Sequence, residues 1–419
     1  MHINEQPVDA ASLRPGAETT LRQWLAVFAV AISAFAFVTS EFLPVGLLPQ
    51  IARDLGVTPG TAGLMVTTPG VLAAIFAPGM LILAGRMDRR RVFLLLTAML
   101  LASNIVSAMS SNFVVMLIGR AMLGAALGGF WTLATAAAGR LVQLSDAARA
   151  TAIILTGVTC ATVIGVPLGT FIAGFASWRA SFLATGGLVA VALIAQALLV
   201  PSLPSATALR IADFVELMRR PHTRLSMLMV ALVFGAHFST YTFIAPLLQQ
   251  DFSLNAITLL LLAFGVIGFF SNALLSMVIA NRLKTSVAAM TALLLCALSS
   301  MLLLDHVRIG EIAAMLMWGV AFGALPLCFS VWIQRGTADR PEAGSAMFVS
   351  VIQVAIALGS SVGGTIVDHA GVRADFVLGC GLAVLGLITL QRLAAMERPR
   401  SAAASSLERG CNCGGASLD

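Results

Sequence analysis

The chain has 419 residues, of which 59% are hydrophobic and only 11% charged, a balance that cannot coat a soluble surface of this size with water-compatible groups. Its net charge of +6 points to no nucleic-acid partner, and the sequence has neither a G-x-x-x-x-G-K-[S/T] loop nor a soluble domain that could hold one, which disfavours ATP-driven transport. What fits is an all-α polytopic membrane protein, and the 37 glycines suit helices that approach closely in lipid.

About twenty helical residues cross the hydrocarbon core, and apolar runs near that length mark twelve predicted spans. A polar tail, residues 1–23, precedes a first run of full spanning length, so no cleavable signal peptide is expected. Span 1, Trp24–Leu48, contains Glu41, with Pro44 and Pro49 just beyond it. A charge in mid-membrane costs several kcal/mol, so Glu41 is expected to face a partner or a water-filled cavity. Spans 2 to 6 follow as Thr61–Ala84, Val92–Ser110, Phe113–Ala138, Ala150–Phe175 and Ser181–Val200.

Span 4 holds Arg120, eight residues in from Asn112 and therefore roughly 12 Å deep at about 1.5 Å per residue. Glu41, nine residues before Gln50, lies at a comparable depth. Two arrangements fit: the pair meets directly or through water, or each bonds separately to backbone carbonyls and hydroxyls. In span 5, Gly157, Gly165, Pro167 and Gly169 read as a kinked, closely packed hinge.

Residues 201–224 form a connection with three prolines, four arginines and the amphipathic piece IADFVELMRR, and they separate a six-span bundle over residues 24–200 from a second over residues 225–393. Spans 7 to 12 are Leu225–Leu248, Ile257–Ala280, Val287–Leu304, Ile312–Ile333, Ala343–Val367 and Phe376–Leu393, followed by the tail 394–419. Gly359 and Gly363 give span 11 a hinge-like face of its own. The candidate substrate contacts are Phe130, Trp131, Tyr241, Asn272, Trp318 and Gln353, aromatic faces and hydrogen-bonding groups suited to a flat polar heterocycle and to many drugs. His237 titrates near neutral pH; it fits a proton path or a structural hydrogen bond. Trp24 and Trp332 read as interface anchors.

Cys160, Cys296, Cys328 and Cys380 lie in apolar runs as packing residues. Cys411 and Cys413 make a C-x-C tail without a second Cys or His pair, so no metal is expected. Twenty of the 25 Lys and Arg residues fall on the side that holds both termini and four on the other, with Arg120 inside a span, which predicts cytoplasmic termini. A shift of 194 residues lays Ala161–Phe182 on Ala355–Phe376, matching Gly165 to Gly359, Gly169 to Gly363 and Arg179 to Arg373; spans 5 and 11 therefore read as duplicated counterparts. A shift of 197 pairs Pro49 with Pro246 and sets His237 opposite Ser40.

Three patterns resemble the major facilitator superfamily: the loop GRMDRRRV from Gly85 to Val92, the R-x-x-x-G of GRAMLGAALGGFW in span 4, and GVTCATVIGVPLG in span 5. The likeness is to the drug/H+ antiporter branch, with its sugar-, drug- and nucleoside-exporting members. It implies a twelve-helix fold of two pseudo-symmetric six-helix bundles in the bacterial inner membrane, a monomer, with no cofactor and a proton gradient as the energy source. It further implies proton coupling through Arg120, beside which Glu41, as a buried acid, and His237 are the titratable candidates for the proton path, and a gating loop of Gly85, Asp88, Arg89, Arg90 and Arg91. The loop departs from the family pattern G-x-x-x-D-R-x-G-R-R, since Asp88 follows Gly85 by three and no glycine separates the arginines. A facilitator or importer on the same fold, or a membrane sensor that moves nothing, are the alternatives; no nucleophile, base and acid converge for an enzyme.

Overall fold

The computed structural model describes residues 19–83, 87–203, 211–304 and 307–411. Gly85 and Cys413 lie outside the described residues.

Among the described residues twelve helices are long and apolar enough to cross a membrane: Leu21–Asp54, Pro59–Ala77, Arg89–Ala108, Phe113–Trp131, Arg149–Phe175, Trp178–Leu199, Pro221–Thr242, Leu254–Ser276, Asn281–Leu303, Arg308–Gly336, Ala343–Ala370 and Val372–Met396, called spans 1 to 12 below. Several helices outrun the apolar runs that predict them, because capping carries helical structure into the polar flanks. Span 1 starts at Leu21, where Thr20 and Gln23 close a capping box, and it ends at Asp54. Span 11 stops at Gly371, whose φ of +83° reverses the chain. Span 5 contains a π-helical turn, Ala161–Gly165, just before Pro167, the local widening that a proline without an N–H invites.

The chain divides into two bundles, each with its own core. Spans 1 to 6 pack around Phe37, Phe93 and Phe130, and spans 7 to 12 around Phe234, Trp318 and Phe329. The duplication is visible in bonds as well as in sequence. Arg179 at the start of span 6 donates to the Ser110 carbonyl at 3.0 Å, and Arg373 at the start of span 12 donates to the Leu302 carbonyl at 3.2 Å, each arginine closing the end of the bundle's third helix. Ser181 donates to Gly169 O at 2.7 Å; its counterpart Asp375 sits beside Gly363.

At the arginine-rich face each bundle finds partners within itself. Asp88 caps the helix that begins at Arg89 by accepting from the Arg90 N–H at 2.8 Å, and it accepts from Leu203 N–H at 2.9 Å and from the Ser202 hydroxyl. Arg90 reaches the Ala197 carbonyl in span 6 at 2.6 Å. Partial burial pushes the Asp88 carboxyl up, and the Ser202, Leu203 and Arg90 hydrogen bonds with the Arg91 charge outweigh it, leaving the carboxyl below its ordinary value. In the second bundle the helix Ile211–Arg219 is moored by Glu216 to Arg340 at 2.6 Å, and the adjoining Arg220 bonds Asp339 at 2.7 and 2.8 Å.

Arg220 holds the exposed Asp339 carboxyl down at about 2. A depressed carboxyl keeps its ion pair above its unfolded pKa and loses it only as pH falls through the folded one. Hydrogen exchange of residues 211–219, corrected for the intrinsic pH effect, is therefore expected to match at about pH 5 and pH 7. Replacing both Arg220 and Arg340 with alanine should speed it.

The bundles meet from the membrane middle to the opposite face, where span 1 ends and span 2 begins. Gly70 packs on the backbone of Gln353 in span 11, the Ser360 hydroxyl donates to Gly63 O at 2.9 Å, and Thr258 of span 8 bonds Thr170 of span 5 at 2.9 Å. At the rim the Asp368 carboxylate of span 11 accepts from Gly60 N–H at 2.8 Å, Thr61 N–H at 3.1 Å and the Thr58 hydroxyl at 2.6 Å.

Candidate functional site

Span 1 is an apolar helix that two prolines interrupt. Proline has no N–H, so the carbonyl four residues earlier loses its helical donor. Pro44 thus frees the carbonyl of Ser40, and Pro69 in span 2 frees that of Met65. Lipid offers neither a partner, so another helix has to.

Arg120 of span 4 is that partner. Its Nη1 donates to Ser40 O at 2.6 Å and its Nε to Met65 O at 2.7 Å, while Nη2 donates to Glu41 O at 2.6 Å. Spans 1, 2 and 4 are tied together by one buried guanidinium. Of the two arrangements open to Glu41 and Arg120, the structure adopts the second for the arginine: it bonds the backbone oxygens of Met65, Ser40 and Glu41 and not the Glu41 carboxylate.

The Glu41 carboxylate turns instead to the other bundle. Its Oε1 accepts from Gln353 Nε2 of span 11 at 3.2 Å, with both side chains buried. Gln353 Oε1 is buried without a donor. Beside Glu41 in the same helix, Phe42 stacks on Phe238 of span 7 at 5.5 Å and forms part of a cavity wall.

That cavity, of about 110 Å³, lies between the bundles. Span 5 contributes Thr159, Thr162 and Val166, span 7 His237, Phe238 and Tyr241, and span 8 Phe264, Phe269 and Asn272; span 10 closes it with Phe322 and Pro326. Its depth depends on glycines. Gly268 and Gly323 bring spans 8 and 10 so close that a Cβ on Gly323 would stand 2.2 Å from Gly268 Cα. His237 and Tyr241, one helical turn apart, are stacked at 4.8 Å, and Phe322 lies parallel to the His237 ring at 3.2 Å. Asn272 presents a buried Oδ1 that has no donor.

The structure brings together His237, Tyr241 and Asn272 at the cavity, with Glu41 next to the lining residue Phe42 and Gln353 bonded to Glu41. Trp318 stands behind His237, fully buried, and donates its indole N–H to His237 Nδ1 at 2.9 Å. Phe130 and Trp131 lie elsewhere: Phe130 stacks on Phe37 at 4.3 Å and meets Phe93 edge-on inside the first core, with Trp131 edge-on at 5.7 Å. Trp332 donates to Ser226 at 3.0 Å, at the arginine-rich end of spans 7 and 10. The hinge glycines are at helix contacts. A Cβ on Gly157 would meet Ala31 O at 2.3 Å, and one on Gly165 would meet Thr39; Gly359 abuts Gly235 O. Phe42, Phe238, Phe264 and Phe322 are cavity residues that the sequence reading missed. In helices apolar on every side, phenylalanine carries no mark of which face turns inward.

The sequence profile of the Major Facilitator Superfamily matches residues 30–350. The chain is 34% identical over 368 residues to the purine ribonucleoside efflux pump NepI of Salmonella paratyphi B, covering 86% of this chain and 92% of that protein. It is 36% identical over 368 residues to the transcription regulatory protein OpdE of Pseudomonas aeruginosa, covering 84% and 89%. Among solved structures it resembles the human organic anion transporter MFSD10 (TETRAN), with a TM-score of 0.66 over 90% of this chain and all of that one, at 18% identity.

Proposed function

This chain belongs to the major facilitator superfamily, and from that premise we propose that it is a secondary active exporter of a small organic molecule, driven by protons, with a purine nucleoside as the leading substrate class. Its setting is a bacterial inner membrane with both termini cytoplasmic, the orientation that the arginine distribution favours. In that orientation the Asp368 rim faces outward, and its bonds to Gly60 and Thr61 close the carrier on that side.

The observation that carries the reading is the placement of Glu41. It is a buried acid whose bonded partner is a neutral amide on the opposite bundle, one residue from an aromatic cavity. An amide suits both protonation states. Ionised, the carboxylate accepts from Gln353 Nε2; protonated, it is able to donate to the Gln353 Oε1 that now lacks a donor. Each change of proton therefore remakes a bond between the two bundles, which is how a proton site biases alternating access. Arg120 supports this from the side by fixing the span 1 backbone on which Glu41 rides.

The test is transport in everted vesicles. Glu41→Gln is expected to abolish uptake driven by a pH gradient while leaving exchange of labelled for unlabelled substrate, because neutral glutamine resembles one state of the cycle permanently. Gradient-driven uptake at the wild-type rate would sink the proposal. A regulatory reading has one observation in its favour, the relative named as a transcription regulatory protein. It predicts saturable ligand binding with no flux in either direction.

A further inference from the structure

His237 is one of few polar side chains lining the cavity, and its chemistry is set by what lies behind it. An indole N–H donates and never accepts. With Trp318 Nε1 at 2.9 Å from His237 Nδ1, that nitrogen has to be the acceptor, so the single proton of the neutral ring resides on Nε2. An imidazolium would set one N–H against another. Stacking of the ring with Phe322 at 3.2 Å and with Tyr241 at 4.8 Å leaves the imidazole little rotational freedom.

Across the same cavity the Asn272 Oδ1 is an acceptor with no donor. His237 Nε2 has no bonded partner among the described residues, and the ring borders the empty space. We infer that His237, held as its Nε2–H form by Trp318, and Asn272 together read a neutral, flat heterocycle that offers an sp² nitrogen or carbonyl acceptor to the histidine and an N–H or O–H to the asparagine. This rests on the export reading in one respect, that the cavity is the substrate's. It separates neutral heterocycles from lipophilic cations, which an aromatic box attracts but which a fixed outward N–H opposes and no carboxylate on the cavity wall rewards. It also assigns His237 to the substrate and leaves the proton path to Glu41. Trp318 is a positioning residue, since it touches the histidine and not the cavity.

Among the cavity-lining residues Tyr241 is the other titratable group. Phe238, Phe264 and Phe322 against the ring carry no charge. Span 12, whose Phe376 meets Trp318 edge-on at 5.9 Å, carries Asp375, which adjoins Ser239 and Gly363. Glu41 faces Gln353.

The experiment measures binding to the purified full-length protein, with adenosine and its 1-, 3- and 7-deaza analogues as probes, alongside vesicle flux. In the wild type one ring-nitrogen deletion is expected to weaken binding about tenfold, the loss of one hydrogen bond to a buried donor. His237→Phe should bind all four nucleosides equally, and His237→Gln, which keeps an N–H, should recover part of the discrimination. Trp318→Phe removes the donor that fixes the tautomer, so Nδ1–H and Nε2–H forms mix and the preference of adenosine over the discriminated deaza analogue should shrink several-fold, whereas a packing role alone would weaken all four nucleosides alike. Equal binding of all analogues by the wild type, undiminished discrimination among the analogues in Trp318→Phe, or saturable binding of lipophilic cations in place of nucleosides overturns the inference. Failure of the export reading looks different: selective binding persists and proton-driven flux is absent.

Discussion

Replacing Arg120 with alanine is expected to cost more stability than any other single change at the site. Three buried carbonyls, those of Ser40, Glu41 and Met65, lose their guanidinium donor at once. An unsatisfied buried polar group costs about 1–3 kcal/mol. All three oxygens belong to buried residues, so the total is about 3 kcal/mol or more, seen as a lower thermal unfolding midpoint in detergent and poor yield from the membrane. Lysine should fall between the two, because an ammonium group lacks the planar fork that reaches three carbonyls together.

The sharper test uses the prolines. Pro44→Ala restores an N–H four residues after Ser40 and lets the helix satisfy that carbonyl itself. Arg120→Ala combined with Pro44→Ala should therefore be less destabilised than Arg120→Ala alone, with a coupling of about 1–2 kcal/mol. Strict additivity of the two changes would mean that Arg120 acts on the Glu41 charge and not on the broken helix. Proton coupling and stability then separate: Glu41→Gln should leave the unfolding midpoint near wild type while abolishing gradient-driven uptake.

That geometry shows where the sequence was legible. Twelve spans, the duplication and the two buried charges follow from hydropathy and spacing, because lipid penalises each exception directly. Glu41 and Arg120 stand at one depth by residue count, and they do lie together, through Arg120 Nη2 and Glu41 O at 2.6 Å. What the spacing left open was which atoms meet. Counting back four residues from Pro44 and Pro69 would have pointed to Ser40 and Met65 as the acceptors awaiting a donor. The aromatic contacts had no comparable signal. Phe130 and Phe322 occupy equally apolar helices among 23 phenylalanines, yet one fills a core and the other walls the cavity. Only packing between helices distinguishes them. Gln353 was legible as a polar residue in span 11, but its role as the Glu41 partner depends on how two bundles dock, which no local pattern encodes.

The docking itself is the last thing to test, and Gly60 is the most exacting point in it. In the state described here a Cβ on Gly60 would lie 2.0 Å from Gly364 O and 2.4 Å from Asp368 Cγ, all on the opposite bundle. Backbone oxygen cannot step aside as a flexible side chain can. Gly60→Ala therefore penalises this closed rim by an overpacking cost of about 1–3 kcal/mol, while a state with the bundles parted there is untouched. By population arithmetic that shifts the equilibrium roughly five- to a hundredfold toward the rim-open form. Asp368→Asn should act in the same direction but less strongly, since an amide still accepts part of what the carboxylate takes from Gly60, Thr61 and Thr58. The reporter is Ala357→Cys, buried where span 11 meets Gly70, read by a membrane-impermeant thiol reagent added from the Asp368 side. Labelling should speed in the order wild type, Asp368→Asn, Gly60→Ala, and export should slow in the same order, because turnover requires the rim to close again. Equal labelling rates in all three would show that this rim does not gate access to the cavity.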